Sequence, residues 1–201
     1  IENRGYSIGS AYLLDNIDFK DGDIIFDIGA NSGDLKIYFD NQKIKIQYFG
    51  FEPGRIEFQS LKKNNQDGNL FNLALGDKND TLPFYYNPEY GDSSLVEMKG
   101  YNEKYNVTVN TLSHFINAKN LNKSKIKLIK LEAEGFEPEI LKGLDKFTKY
   151  VKYISADLGY ERGIDQTSTL PQAKKILLKK NFKIIGINNQ RRVVLFKNLK
   201  F

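Results

Sequence analysis

With 201 residues, 40% hydrophobic and 13% aromatic, the chain is long enough to bury one good core and short for two, so one domain over 1–201 is expected. It has no cysteine and a single histidine, His114, which excludes a disulfide framework, a thiolate metal centre and a polyhistidine cluster, and no metal is assigned. The formal net charge of +5 is unevenly spread, because residues 171–201 hold nine of the 30 Lys and Arg and none of the 25 acids. Such a face attracts the phosphates of a nucleotide-linked substrate, a nucleic acid or a membrane surface. Lys174, Lys175, Lys179 and Lys180 nevertheless alternate around Ala173, Ile176 and Leu177 at helical spacing, so a solvated helix face is the favoured reading.

No apolar run approaches the roughly 20 residues needed to span a bilayer. The opening Ile1-Glu2-Asn3-Arg4 does not resemble a secretory signal. A cytoplasmic location is expected, with a natural N-terminus trimmed ahead of Ile1. Residues 1–20 form an N-terminal segment with a short helix near 10–16, and Phe19-Lys20-Asp21-Gly22-Asp23 turns the chain into the first strand.

That strand is the apolar Ile24-Ile25-Phe26. Asp27-Ile28-Gly29-Ala30-Asn31-Ser32-Gly33-Asp34 follows it and precedes an amphipathic helix over 35–39. Strand, glycine turn and helix suit an anionic or nucleotide-like ligand, since free amides at a helix start attract negative groups and Gly29 and Gly33 adopt angles that side chains forbid. The nicotinamide fingerprint places a second glycine where Asn31 stands, which argues against a dehydrogenase. Tyr48-Phe49-Gly50-Phe51 then reads as a second strand ending in Glu52 and Pro53. An acid at that strand end, about 20 residues past the turn, is where a ribose finds its acceptor.

A helix over 54–64 and a third strand over 70–75 come next, and Asn72, Leu73, Ala74 and Leu75 are expected to line the cofactor base. Two strands, 81–86 and 107–109, bracket the turn Pro88-Glu89-Tyr90-Gly91-Asp92-Ser93-Ser94, and 81–110 is read as an insertion over the site. Its tyrosines, Tyr85, Tyr86, Tyr90, Tyr101 and Tyr105, suit stacking on a sugar or base and equally suit ordinary half-buried strand positions. Thr111 caps a short helix through Ala118 that carries His114, which stays off the catalytic list for want of a paired nucleophile.

The strand 126–131 opens into Glu132-Ala133-Glu134-Gly135-Phe136-Glu137-Pro138, followed by a helix over 139–144. Glu137 and Pro138 suit a helix start. Glu132 and Glu134 sit at a strand's carboxyl end, where open sheets bind ligands, so each is a candidate for cofactor contact or general base. The strand 151–156 exits through Asp157-Leu158-Gly159-Tyr160-Glu161-Arg162, adding Asp157 to the acids; its bland alternative is a turn cap. Pro171 opens a helix to about Lys180, and strands over 182–187 and 192–196 close the chain as an antiparallel hairpin around Asn188-Asn189-Gln190.

The succession 27–34, Phe51-Glu52-Pro53, Asn72-Leu73-Ala74-Leu75-Gly76-Asp77 and the run 130–137 with Leu141-Lys142-Gly143 resembles the FkbM family of S-adenosylmethionine-dependent methyltransferases, over roughly residues 20–197. The resemblance implies an α/β, Rossmann-like class I methyltransferase fold: a seven-stranded, mostly parallel sheet with a terminal antiparallel hairpin and a β insertion after the third strand. It implies S-adenosylmethionine as cofactor, with Asp27, Gly29, Ala30, Asn31 and Gly33 at its methionine end, Phe51, Glu52 and Pro53 at its ribose, and Asn72, Leu73 and Ala74 around its adenine. Family members usually carry Asp where this chain has Glu132.

Such enzymes typically methylate hydroxyls of sugars or natural products. The catalytic candidates are therefore Glu132, Glu134 and Asp157, and the substrate-binding candidates Ser93, Ser94, Tyr160 and Glu161. The expected partner is a small-molecule or glycan acceptor, without a membrane span, and an oligomer stays open. Methylation of RNA or another nucleic acid, and a cofactor-binding subunit without catalysis, are the alternatives.

Overall fold

The computed structural model describes residues 2–87, 93–123 and 126–201. The turn residues 88–92, Tyr90 among them, lie outside that range.

Apolar runs with β-branched and aromatic residues form the central strands: β1 (Ile24–Ile28), β2 (Gln47–Phe51) and β3 (Asn69–Phe71), then β7 (Ile126–Leu131), β8 (Tyr153–Asp157), β9 (Phe182–Asn188) and β10 (Val193–Asn198). They make one seven-stranded sheet in the order β3-β2-β1-β7-β8-β10-β9. Every neighbour pair is parallel except those of β10, which runs antiparallel to both β8 and β9. β1, β7 and β8 are buried along their whole length because helices cover both faces. One core gathers Phe26, Phe49, Phe51 and Phe115 with α4 (Leu112–Ala118), α5 (Glu137–Gly143) and α6 (Leu170–Lys179). The other gathers Ile25, Tyr48, Leu128 and Leu195 with α1 (Glu2–Ala11), α2 (Asp34–Asn41) and α3 (Arg55–Asn64). No described helix is long and apolar enough to cross a membrane.

The expected helix near 10–16 falls earlier: α1 ends at Ala11, and only a 3-10 turn, Leu14–Asn16, follows. The single third strand is two strands. β3 stays in the main sheet, and after Asn72 the chain swings out so that β4 (Ala74–Leu75) pairs in parallel with β6 (Glu103–Asn110). Asn72 Nδ2 holds that bend by donating to the carbonyls of Glu52 and Pro53, at 2.8 and 3.2 Å. β5 (Asp80–Tyr86) completes a small sheet, β4-β6-β5, over its own cluster of Phe84, Tyr86, Val107 and Val109. Thr111 caps α4 as expected, its hydroxyl accepting the His114 amide at 3.1 Å. The lysines of α6 lie exposed around buried Ala173 and Leu177, as a solvated face.

Candidate active site

The carboxyl ends of β1, β2 and β7 and the small sheet enclose a cleft of about 260 Å³. Gly29 makes its floor possible. Its φ is +71°, and a Cβ there would stand 1.7 Å from the Glu132 carbonyl, so no side chain fits where the turn crosses the end of β7. The Gly29 and Ala30 amides both donate to the Phe51 carbonyl, at 3.0 Å each. Gly33, also at positive φ, packs on the end of α3, where a Cβ would meet Asn65 Nδ2 at 1.9 Å; its bareness serves helix packing, and it stands off the cleft wall.

Glu52 is buried at the end of β2 and fixed from both sides. Its Oε2 accepts the Asn31 amide at 2.8 Å and its Oε1 accepts the Gly54 amide at 2.7 Å. Burial raises its pKa to about 7, against the opposing pull of those two amides. The carboxylate faces the cleft with lone pairs to spare for further donors.

Behind the glycine turn lies a charge cluster. Lys130, on β7, is buried with its ammonium 2.7 Å from the Gly29 carbonyl, 3.2 Å from Asp27 Oδ1 and 3.0 Å from Glu132 Oε2. Burial acts to lower its pKa, but the charges of Asp27 and Glu132 prevail and hold it raised. The Tyr48 hydroxyl donates to Asp27 Oδ2 at 2.6 Å. Glu132 receives a second cation from the β9–β10 turn, with Arg191 Nη2 3.3 Å from its Oε1. Burial is the largest single influence and acts to raise its pKa, but Lys130, Tyr12 and Arg191 together outweigh it and hold the pKa lowered. Asp157, at the end of β8, behaves oppositely: burial, then the charge of Glu132, raises it to about 6, while the Gly159 amide donates to its Oδ1 at 3.2 Å. The Tyr12 hydroxyl is buried beside Glu132, and burial, with the charges of Glu132 and Asp157, holds its proton on.

The segment after β7 is shaped by Glu137, whose Oε1 accepts the amides of Ala133 and Gly135 at 2.9 and 3.1 Å. Glu134 sits at φ +47°, with its carbonyl accepting the Ser94 hydroxyl at 2.7 Å. Gly143 of α5 faces the Gly76 carbonyl, which a Cβ would approach to 1.8 Å.

Of the residues singled out in the sequence, Gly29, Asn31, Phe51, Glu52, Pro53, Leu73 and Ala74 line the cleft, as do Glu132, Glu134, Ser93 and Ser94. Asp27, Ala30, Gly33 and Asn72 support that wall from behind or beside it. Asp157 lies next to Glu132 within the charge cluster, and Tyr160 and Glu161 stand outside the wall. Tyr160 is exposed, with the Arg192 guanidinium 4.4 Å from its ring centroid. Lys130, Arg191, Glu57 and Phe84 were not foreseen. The alternation of lysine with apolar residues in β7 gave no signal for Lys130, because it matches a strand with one solvent face; Arg191 directly follows the turn that was recognised.

The strand order, with its one antiparallel strand between two parallel ones, defines the class I, Rossmann-like methyltransferase fold. Solved structures agree at the level of fold. A ribosomal protein L11 methylase from Lactobacillus delbrueckii subsp. bulgaricus is similar at 10% identity and a TM-score of 0.51, over 97% of this chain and 79% of that one. An rRNA methylase from Streptococcus thermophilus is similar at 11% identity and a TM-score of 0.50, over 97% of each chain. The methyltransferase FkbM domain matches residues 27–167, and the chain belongs to that family. A relative described as Methyltransferase 1, from Beauveria bassiana (strain ARSEF 2860), is 24% identical over 151 residues, 63% of this chain and 60% of its own length. The chain thus spans about 60% of the length of that curated relative.

Proposed function

We propose that this protein is an S-adenosylmethionine-dependent O-methyltransferase acting on a hydroxyl of a sugar, a nucleotide-linked sugar, a glycan or a natural product. The observation that carries the reading is the pairing of the Gly29–Asn31 turn with the fixed, cleft-facing carboxylate of Glu52. The donor set fits the cofactor. Glu52 has acceptors free for a ribose diol, Phe51, Leu73 and Ala74 offer an apolar wall for an adenine, and Glu134 offers negative charge for a cationic amino-acid end. Bound there, the cofactor supplies an electrophilic methyl group on a positively charged sulfur.

The chain's own residues then position an alcohol and take its proton. Glu132, neutralised by Lys130 and Arg191, is the weaker base, and Asp157, with its raised pKa, is the stronger one. In this reading the acceptor hydroxyl reaches past Glu132 to Asp157, which accepts its proton, while Glu132 orients the acceptor and Ser93 and Ser94 bound the acceptor's side of the cleft. Glu134, on the same wall, would hold the ammonium of the cofactor's amino-acid end.

Against RNA as acceptor stands the charge of the cleft wall, which carries Glu52, Glu57, Glu132 and Glu134 against Arg191 alone among described Lys and Arg, a poor match for a phosphate backbone. A methyl-release assay over nucleotide sugars, free glycans and RNA tests the assignment. Turnover on a hydroxylated sugar supports it, and turnover on RNA alone overturns it.

A further inference from the structure

We propose that the end of the sheet opposite the cleft docks on an anionic phospholipid surface. The cleft opens at the carboxyl ends of the parallel strands. At their other end, the segments that lead into β7 and β8 and out of β10 bring together Lys123, Lys149, Tyr150, Lys200 and Phe201 around a shallow, open depression. Lys146, Lys149 and Lys152 follow a three-residue spacing, and the first two stand on the 3-10 turn Asp145–Tyr150, in which side chains three apart eclipse one another. The spacing therefore sets Lys146 and Lys149 on one side of the turn, with Lys152 just beyond its end.

None of Lys123, Lys146, Lys149, Lys152 and Lys200 makes an ion pair among the described residues. Instead Lys123 and Lys149 lie 5.8 and 5.0 Å from the Tyr150 ring centroid, and Lys152 lies 5.3 Å from that of Phe201. Asp145 is the one acid on the turn itself; at the head of β1, Asp23 pairs with Lys127 at 3.4 Å and Asp21 accepts the Lys45 amide at 2.9 Å.

Charge alone also suits a nucleic acid, but two large apolar side chains, Leu199 and Phe201, are 59% and 46% exposed among these lysines. Lysines that give long-range attraction, with apolar tips that enter the headgroup boundary, are the two signals a peripheral membrane contact needs. Point-charge ammonium groups suit phosphates without asking for a particular order of bases. Strands of five or six residues separate this surface from the cleft by roughly 20 Å at about 3.3 Å per residue, so the cleft opens away from the bilayer.

Co-sedimentation of the full chain with vesicles of phosphatidylcholine alone and of phosphatidylcholine with phosphatidylserine tests the assignment. The expected result is binding to the anionic vesicles only, weakened by salt and weakened about a hundredfold in the K146E/K149E/K152E variant. A second variant, L199S/F201S, keeps every lysine and is expected to lose binding by about tenfold; both are checked for an unchanged melting temperature. Equal binding to neutral vesicles, binding to neither, or binding to a single-stranded RNA oligonucleotide without vesicle binding each overturns the proposal.

Discussion

Lys130 Nζ lies 3.2 Å from Asp27 Oδ1, with the two side chains 3% and 1% exposed. Neighbouring strands thus share one ion pair that also grips the carbonyl of the glycine turn. Removing one partner strands the other charge in the core, which typically costs about 3–5 kcal/mol. Lys130→Met is expected to destabilise by that amount in urea unfolding. The double variant D27N/K130M, which leaves only Glu132 and keeps its second cation Arg191, should recover most of it. Because the Lys130 pKa is raised, its contribution is complete below about pH 10 and declines only as pH rises through the folded value.

Gly29→Ala places a methyl group against the Glu132 backbone, and neither chain segment can yield without moving a central strand. The expected cost is about 3 kcal/mol or more, a fall of roughly 10 °C in melting temperature for a chain of this size. A melt within about 2 °C of the parent would show that the turn relaxes freely.

Glu52 gives a pH signature. Its folded pKa, about 7, lies above the ordinary carboxylate range, so between about pH 4.3 and 7 the folded state holds more protons than the unfolded one. Stability of the ligand-free protein therefore falls as pH rises through that window, and E52Q should flatten this part of the profile. Asp157 adds a smaller slope of the same sign up to about pH 6. Thermal melts at pH 5 and pH 8, for parent and E52Q, check the sign.

The assignment of roles among the acids separates in kinetics. Asp157→Asn is expected to lower kcat by about 10²- to 10⁴-fold, with cofactor affinity unchanged. Glu132→Gln should lower kcat less and raise KM for the acceptor more. The parent's kcat should rise with pH through about 6, as Asp157 deprotonates, and this limb should vanish in D157N.

The strand, glycine turn and helix were legible because a positive φ at Gly29 and an apolar run in β1 leave few alternatives, and Glu52 followed from its distance along the chain. The fate of the third strand was not legible. The break at Asn72 depends on a side chain that donates to Glu52 and Pro53 across about 20 residues, and no local pattern encodes that. Lys130 was hidden for a related reason: a lysine in an alternating strand reads as solvent-facing, yet β7 is covered on both faces and its lysine points into carboxylates. Arg191 meets Glu132 from 59 residues away, a contact that only the folded hairpin creates.

Calorimetric titration of the purified chain with S-adenosylmethionine and, separately, with NAD tests the central claim most directly. The account predicts micromolar binding of S-adenosylmethionine alone, reduced at least tenfold in E52Q, whose neutral amide accepts less strongly from a ribose diol. Absence of binding to S-adenosylmethionine, or tighter binding of NAD, would contradict it.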